Sequence, residues 1–138
     1  MRIAIVGTGA VGEACAHALV AADVARRLLL LNRTLDVADA IARDLRQARA
    51  WGRRLDTLIA DLATAGSLCG YELVIVTLGP RLRGAQSRTD VAAQTATMLR
   101  DSGVVARLAE VANDERTCVL VVSNPVDLTV TWLQEQAG

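Results

Sequence analysis

The sequence predicts a single α/β domain built on a doubly wound parallel sheet, and three observations predict it. Apolar runs too short for helices recur along the chain, each is followed by a stretch with helical spacing, and the 138 residues fit one domain of ordinary size. Strand and helix in alternation favour parallel pairing through right-handed crossovers. The strand runs are continuously apolar rather than alternating, so the sheet is expected to be covered on both faces.

The elements follow in order. Arg2 to Val6 is a run rich in β-branched residues closed by a glycine, and Val11 to Ala22 continues as an alanine-rich helix. Leu28 to Leu31 repeats the strand, followed by Asn32-Arg33-Thr34 and a helix from about Asp36 to Ala50 whose apolar positions are Val37, Ala40, Ile41 and Leu45. Leu58 to Ala60 reads as a short strand, Leu73 to Thr77 as a strong one and Val119 to Val122 as the last. A polar loop from Gly79 to Ser87 and a long helix from about Thr89 to Asn113, bent at Ser102-Gly103, join those two. Pro125 then opens a final helix, where its missing N–H is harmless.

Composition narrows the function classes. Hydrophobic residues make up 52% of the chain and charged ones 22%, which excludes disorder. Fifteen basic residues, all arginine, balance fifteen acidic ones, so no general field draws nucleic acid or an anionic membrane. No apolar run approaches the ~20 residues of a membrane span, and polar residues break up the N-terminal apolar stretch that could imitate a signal peptide. Cys15, Cys69 and Cys118 are odd in number and lack metal-ligand spacing, so they read as free thiols of a cytoplasmic protein with no metal site.

The chemistry sits first in Gly7 to Gly12, GTGAVG, which matches G-x-G-x-x-G directly after a strand and before a helix. Gly7 permits the tight turn, Gly9 lets the backbone approach a pyrophosphate, and Gly12 lets helix and strand pack closely, with Ala10 and Val11 opening the helix whose N-terminus meets the phosphate charge. Such sites place an acid about 20 residues on, where it binds the adenosine ribose. Here that position is Asn32, followed by Arg33 and Thr34. A carboxylate repels a 2′-phosphate, whereas these three can hydrogen-bond one, which favours NADP over NAD. The alternative is a solvated arginine beside an asparagine that still bonds a ribose hydroxyl.

The segments GAVGEACA (Gly9 to Ala16), DLRQA (Asp44 to Ala48), VIVTLG (Val74 to Gly79) and VVSNPVD (Val121 to Asp127) resemble, in order and spacing, the nucleotide-binding half of the lactate and malate dehydrogenases. The resemblance runs essentially end to end. It implies a Rossmann-type domain with NAD or NADP laid across the C-terminal edge of the sheet, Thr77, Leu78 and Gly79 near its middle, and Val122 and Asn124 near the nicotinamide ribose. It also implies a cis Asn124-Pro125 bond that turns Asn124 toward the substrate. Without the resemblance, SNP reads equally as a strand-to-helix turn with a capping serine.

In that family the loop after the fourth strand closes over the substrate and carries an arginine nine residues past its glycine, the position of Arg88 counted from Gly79. The resemblance gives Arg88 the task of polarising the substrate carbonyl; the bland reading is an arginine at a helix start, which the dipole disfavours. Leu82 falls where the family reads the substrate's side chain, implying an apolar 2-oxo acid, unless the flanking Arg81 or Arg83 serves a second carboxylate or all three are solvated loop residues.

The family's proton-donating histidine and its carboxylate-clamping arginine belong to a second domain that is expected to be absent from residues 1–138. The only histidine, His17, reads as packed among Ala14, Ala18 and Ala21, and Glu13 and Asp127 as acids favoured by helix dipoles. The expectation is a cofactor domain, inactive by itself, of a dehydrogenase acting on a 2-oxo or 2-hydroxy acid when the catalytic half is supplied. The alternative is a noncatalytic dinucleotide-binding module or sensor. Apolar residues on the last helix, Leu128, Val130, Trp132 and Leu133, lead to an expected homo-oligomer with Trp132 at or near a contact.

Overall fold

Among the described residues, five parallel strands form one sheet in the order β3-β2-β1-β4-β5: β1 (Arg2–Val6), β2 (Arg27–Asn32), β3 (Thr57–Leu62), β4 (Leu73–Val76) and β5 (Cys118–Val121). The helices are α1 (Ala10–Ala21), α2 (Leu35–Ala48), α3 (Arg88–Asp101), α4 (Val104–Ala112) and α5 (Val126–Ala137). The computed structural model describes residues 1–48, 54–62, 67–80, 84–101 and 103–137. Register centres on β1, where Ile3 lies between Leu28 and Leu73, and Ile5 between Leu30 and Ile75.

Side chains alternate across the pleat, so each strand feeds two cores. Ile3, Ile5, Leu28 and Leu30 are fully buried among Ala16 and Val20 of α1 and Ile41 and Leu45 of α2. Ala4, Val6, Leu29 and Val74 face the other way, against Leu99 of α3, Leu108 and Val111 of α4, and the half-buried Trp132 and Leu133 of α5. Burying each of the larger aliphatic side chains contributes about 1.5 to 3 kcal/mol. The strand runs therefore act as expected for two-sided coverage at β1, β2 and β4.

At β5 they do not. Leu120 is 48% and Val122 38% exposed, because α4 and α5 cover only the face that carries Val119 and Val121. The Cys118 N–H donates to the Glu72 carbonyl and the Val122 N–H to the Val76 carbonyl, so Val119 and Val121 turn their backbone groups to the open side of the sheet. An apolar cavity of about 290 Å³ also lies beside this edge, among Leu108, Ala112, Val119, Val121 and Leu133.

Other differences are local. The stripe that α2 buries is Ala38, Ile41, Ala42 and Leu45, the i, i+3, i+4, i+7 pattern of one helical face; Val37 and Ala40 fall off it, and Val37 is 44% exposed. α1 buries Gly12, Ala16 and Val20, which leaves His17, Ala14, Ala18 and Ala21 on its exposed side rather than packed together. The expected long helix is two helices: Gly103, in the left-handed conformation at φ 66°, ends one and caps the other. Trp132 is turned inward and Arg100 lies over its ring at 5.9 Å; the exposed apolar residues of α5 are Val126 and Leu128. The cysteines are free.

Candidate functional site

The C-terminal ends of the central strands converge on the glycine loop. The Gly7 N–H donates to the Leu31 carbonyl and the Thr77 N–H to that of Val6, while the Thr77 hydroxyl donates to the Gly7 carbonyl at 2.6 Å. Gly7 has φ +98°, and a Cβ there would stand 2.9 Å from the Leu78 nitrogen. A Cβ on Gly12 would collide with the Gly7 carbonyl oxygen and the Thr77 hydroxyl. Those two glycines fit α1 against the strand ends.

Gly9 is different, since a Cβ there would meet nothing within 4 Å. It is the N-cap of α1 and offers no side-chain cap. The first N–H groups of the helix, those of Ala10, Val11 and Gly12, thus lack intrahelical acceptors and point, with the positive end of the dipole, out of the loop. Beside them opens a cleft of about 310 Å³ lined by Gly9, Ala10, Val11, Thr77, Gly79, Val122 and Asn124. Open space above Gly9, free helical donors and a groove along the sheet edge fit a dinucleotide's pyrophosphate and one of its arms. Leu78 does not line this cleft; its side chain is 4% exposed and packs into the core.

At the end of β2, Asn32 donates its side-chain amide to the Thr8 hydroxyl at 2.5 Å and accepts the Thr34 N–H at 3.3 Å. Thr8 is 3% exposed. Arg33 projects into solvent and has no acidic partner among the described residues. Thr8 was not legible as a site residue, because the motif leaves its position free.

A second cleft of about 230 Å³ adjoins the first and shares Val91 and Asn124 with it. Gly84, Ala85, Gln86, Arg88 and Pro125 complete its walls, and the Asn124-Pro125 bond is cis. Ser123, the residue that could have capped α5, is buried and donates its hydroxyl to the Val76 carbonyl instead. Ser87 fixes the start of α3 by accepting the Asp90 N–H at 3.1 Å and donating to its carboxylate at 2.7 Å. That cap sets Arg88 in the first turn, where its Nη2 donates to both carboxylate oxygens of Asp127, at 2.8 and 2.9 Å. Asp127 is thus more than an acid at a helix start. Desolvation pushes its pKa up, but the hydrogen bond from Arg88, the Leu128 N–H and the guanidinium charge outweigh it and hold the carboxyl below its ordinary value.

Arg81, Leu82 and Arg83 lie outside the described residues. His17 lines neither cleft. Among the described residues no three His, Cys, Asp or Glu side chains gather as a metal site, and no helix is long and apolar enough to cross a membrane.

The five-stranded parallel sheet and its glycine loop define a dinucleotide-binding domain of the Rossmann type. The chain belongs to the lactate/malate dehydrogenase family: residues 1–138 match that family's NAD binding domain. The malate dehydrogenase of Thioalkalivibrio sulfidiphilus is 36% identical over 138 residues, covering 99% of this chain and 43% of the relative. The L-lactate dehydrogenase of Deinococcus radiodurans is 32% identical, covering 93% and 40%. Among solved structures, the minor L-lactate dehydrogenase from Enterococcus mundtii in its ligands-bound form superposes with a TM-score of 0.82 at 29% identity, over 99% of this chain and 42% of that one. The chain therefore spans about two-fifths of the length of these relatives.

Proposed function

We propose that this chain is the cofactor-holding part of an oxidoreductase acting on a 2-hydroxy or 2-oxo acid, and that it takes NADP in preference to NAD. The observation that carries the cofactor choice is the end of β2: a neutral Asn32 tied to Thr8, followed by an exposed Arg33 with no acidic partner among the described residues. A 2′-phosphate finds no carboxylate there to repel it, and a guanidinium suits it in charge and geometry. The N–H groups that open α1 hold the pyrophosphate, and Thr77, Gly79, Val122 and Asn124 line the way to the second cleft.

When bound, the nicotinamide supplies the hydride acceptor or donor. The chain's own residues orient the acid: Asn124 stands where the two clefts meet, and Arg88, on the wall of the second, stabilises the negative charge that develops on the carbonyl oxygen. Arg81, Leu82 and Arg83 are proposed to meet the substrate's side chain. Among the described residues neither cleft is lined by a group able to deliver a proton near neutral pH; in this reading the proton donor is supplied by a catalytic second domain, and residues 1–138 alone are expected not to turn over. That same observation favours one second reading, a module that holds the dinucleotide without catalysis. Self-association through exposed residues such as Leu120 and Leu128 belongs to the first reading.

Calorimetric titration with NADPH and NADH tests the cofactor assignment. NADPH is expected to bind more tightly, and Arg33→Ala to weaken NADPH alone. Equal affinities, or tighter NADH, overturn the NADP preference and leave the fold untouched. NADP-linked turnover of lactate or malate by the chain itself, abolished by His17→Ala, overturns the assignment of the proton donor to another domain.

A further inference from the structure

We propose that Asp127 is a positioning residue that aims Arg88 into the second cleft, an inference that rests on Arg88 being the residue that meets the substrate carbonyl. Arg88 lines the second cleft, and Asp127 meets it from outside that lining. Arg88 opens α3 and Asp127 lies in the first turn of α5, two residues after Pro125, so their contact spans 39 residues of chain and ties α3 to α5 beside the cleft.

The geometry of the bond is what makes it an orienting device. Both carboxylate oxygens accept from one nitrogen, Nη2, at 2.8 and 2.9 Å. Among the described residues, Nε and Nη1 donate to no acceptor. The plane of a guanidinium is rigid, so anchoring one nitrogen restricts where the other two point. What they are left to bind is an oxygen acceptor, which a 2-oxo acid carries on its carbonyl and on its carboxylate. Charge works in the same direction: a cation at the start of α3 is opposed by that helix's dipole, and the carboxylate of Asp127 offsets this while itself sitting at the favourable end of α5. The Ser87–Asp90 cap keeps Asp90, the nearer acid in sequence, occupied with its own helix start.

Both side chains are well exposed, at 72% and 65%. An exposed pair contributes at most about 1 kcal/mol, so the expected effect is a modest loss of affinity, about three- to fivefold, rather than abolition.

The test uses the full chain saturated with NAD, in which pyruvate cannot be reduced, and titrates pyruvate by NMR while following the Arg88 side-chain nitrogens. In the unsubstituted chain pyruvate is expected to shift the Arg88 signals. Asp127→Asn is expected to weaken pyruvate three- to fivefold and free the guanidinium to rotate, with NAD affinity unchanged. Asp127→Glu should restore pyruvate binding to within about twofold, and Asp127→Asn should add nothing in an Arg88→Ala background. Unchanged or tighter pyruvate binding by Asp127→Asn overturns the positioning role. An Arg88→Ala variant that binds pyruvate normally overturns the substrate role of Arg88 instead, a result separable from the first.

Discussion

The Asn32 amide donates to the hydroxyl of Thr8 at 2.5 Å, joining the end of β2 to the glycine loop through two neutral side chains. A carboxylate at that position could make the join in the reverse direction, accepting from the Thr8 hydroxyl, so the amide is not needed for it. What changes with an acid is the charge presented to the adenosine ribose. Asn32→Asp is expected to keep the fold, weaken NADPH by about fivefold and tighten NADH, since a full charge next to a phosphate is worth on the order of 1 kcal/mol in partly exposed sites. Paired calorimetric titrations measure both arms, and an unchanged ratio of the two affinities contradicts the reading.

Gly12→Ala adds one methyl group where the Gly7 carbonyl oxygen and the Thr77 hydroxyl already stand. Neither can retreat without moving a strand end. Overpacking of this kind costs about 1 to 3 kcal/mol, expected as a fall in Tm of roughly 4 to 12 °C, together with loss of NAD(H) binding. Gly9→Ala, whose added methyl meets open space, should keep its Tm and lose only the cofactor. Thermal unfolding with and without NADH separates the two, and equal Tm losses would count against this account of the loop.

Glu72 accepts the Arg2 N–H at 2.7 Å. This bond, helped by the amino terminus and the Arg2 guanidinium and opposed by desolvation, holds its carboxyl below the ordinary value. A depressed pKa means the folded chain binds the proton less readily than the unfolded one, so the contribution is present above the usual carboxylate range and lost as pH falls through the lowered value. Glu72→Gln is expected to bring the urea midpoints at pH 7 and pH 3 closer together. The same gap in both chains would refute it.

Tyr71 is the only tyrosine and is 6% exposed. Desolvation raises its pKa, while Arg27, 5.7 Å from the ring centre, and Arg2 pull it back without cancelling the rise. A raised pKa reverses the sign: the contribution holds below the ordinary tyrosine range and is lost as pH climbs through the folded value. Ultraviolet titration should find one phenol ionising above pH ~10, and Arg27→Ala should move it higher still. A midpoint at or below the free tyrosine value would show that burial does not dominate.

Much of this architecture was readable from sequence. Short apolar runs, glycine punctuation and helical spacing place five strands and the glycine loop within a residue or two, because backbone propensity and burial act in the same direction there. The break at Gly103 was visible only as a bend, since a glycine in a helical pattern does not announce whether its φ will turn positive. His17 and Val37 were misjudged because periodicity gives a stripe's spacing more firmly than its phase. The site divides likewise: the glycines follow from the motif and the Arg88 position from the family resemblance, while the Thr8–Asn32 and Arg88–Asp127 pairs join residues 24 and 39 apart. Only the folded sheet brings such pairs together.

β1 holds the middle of the sheet while preceding every other strand. Its Arg2–Glu72 contact alone closes a loop of 70 residues, so pairing on one side of β1 waits for β4 to be available and the sheet consolidates late in folding. Once that loop is closed, its length matters little, because doubling a flexible loop costs only about 0.6 kcal/mol. A one-residue shift in residues 2–6, by contrast, would exchange the two cores on either side of them.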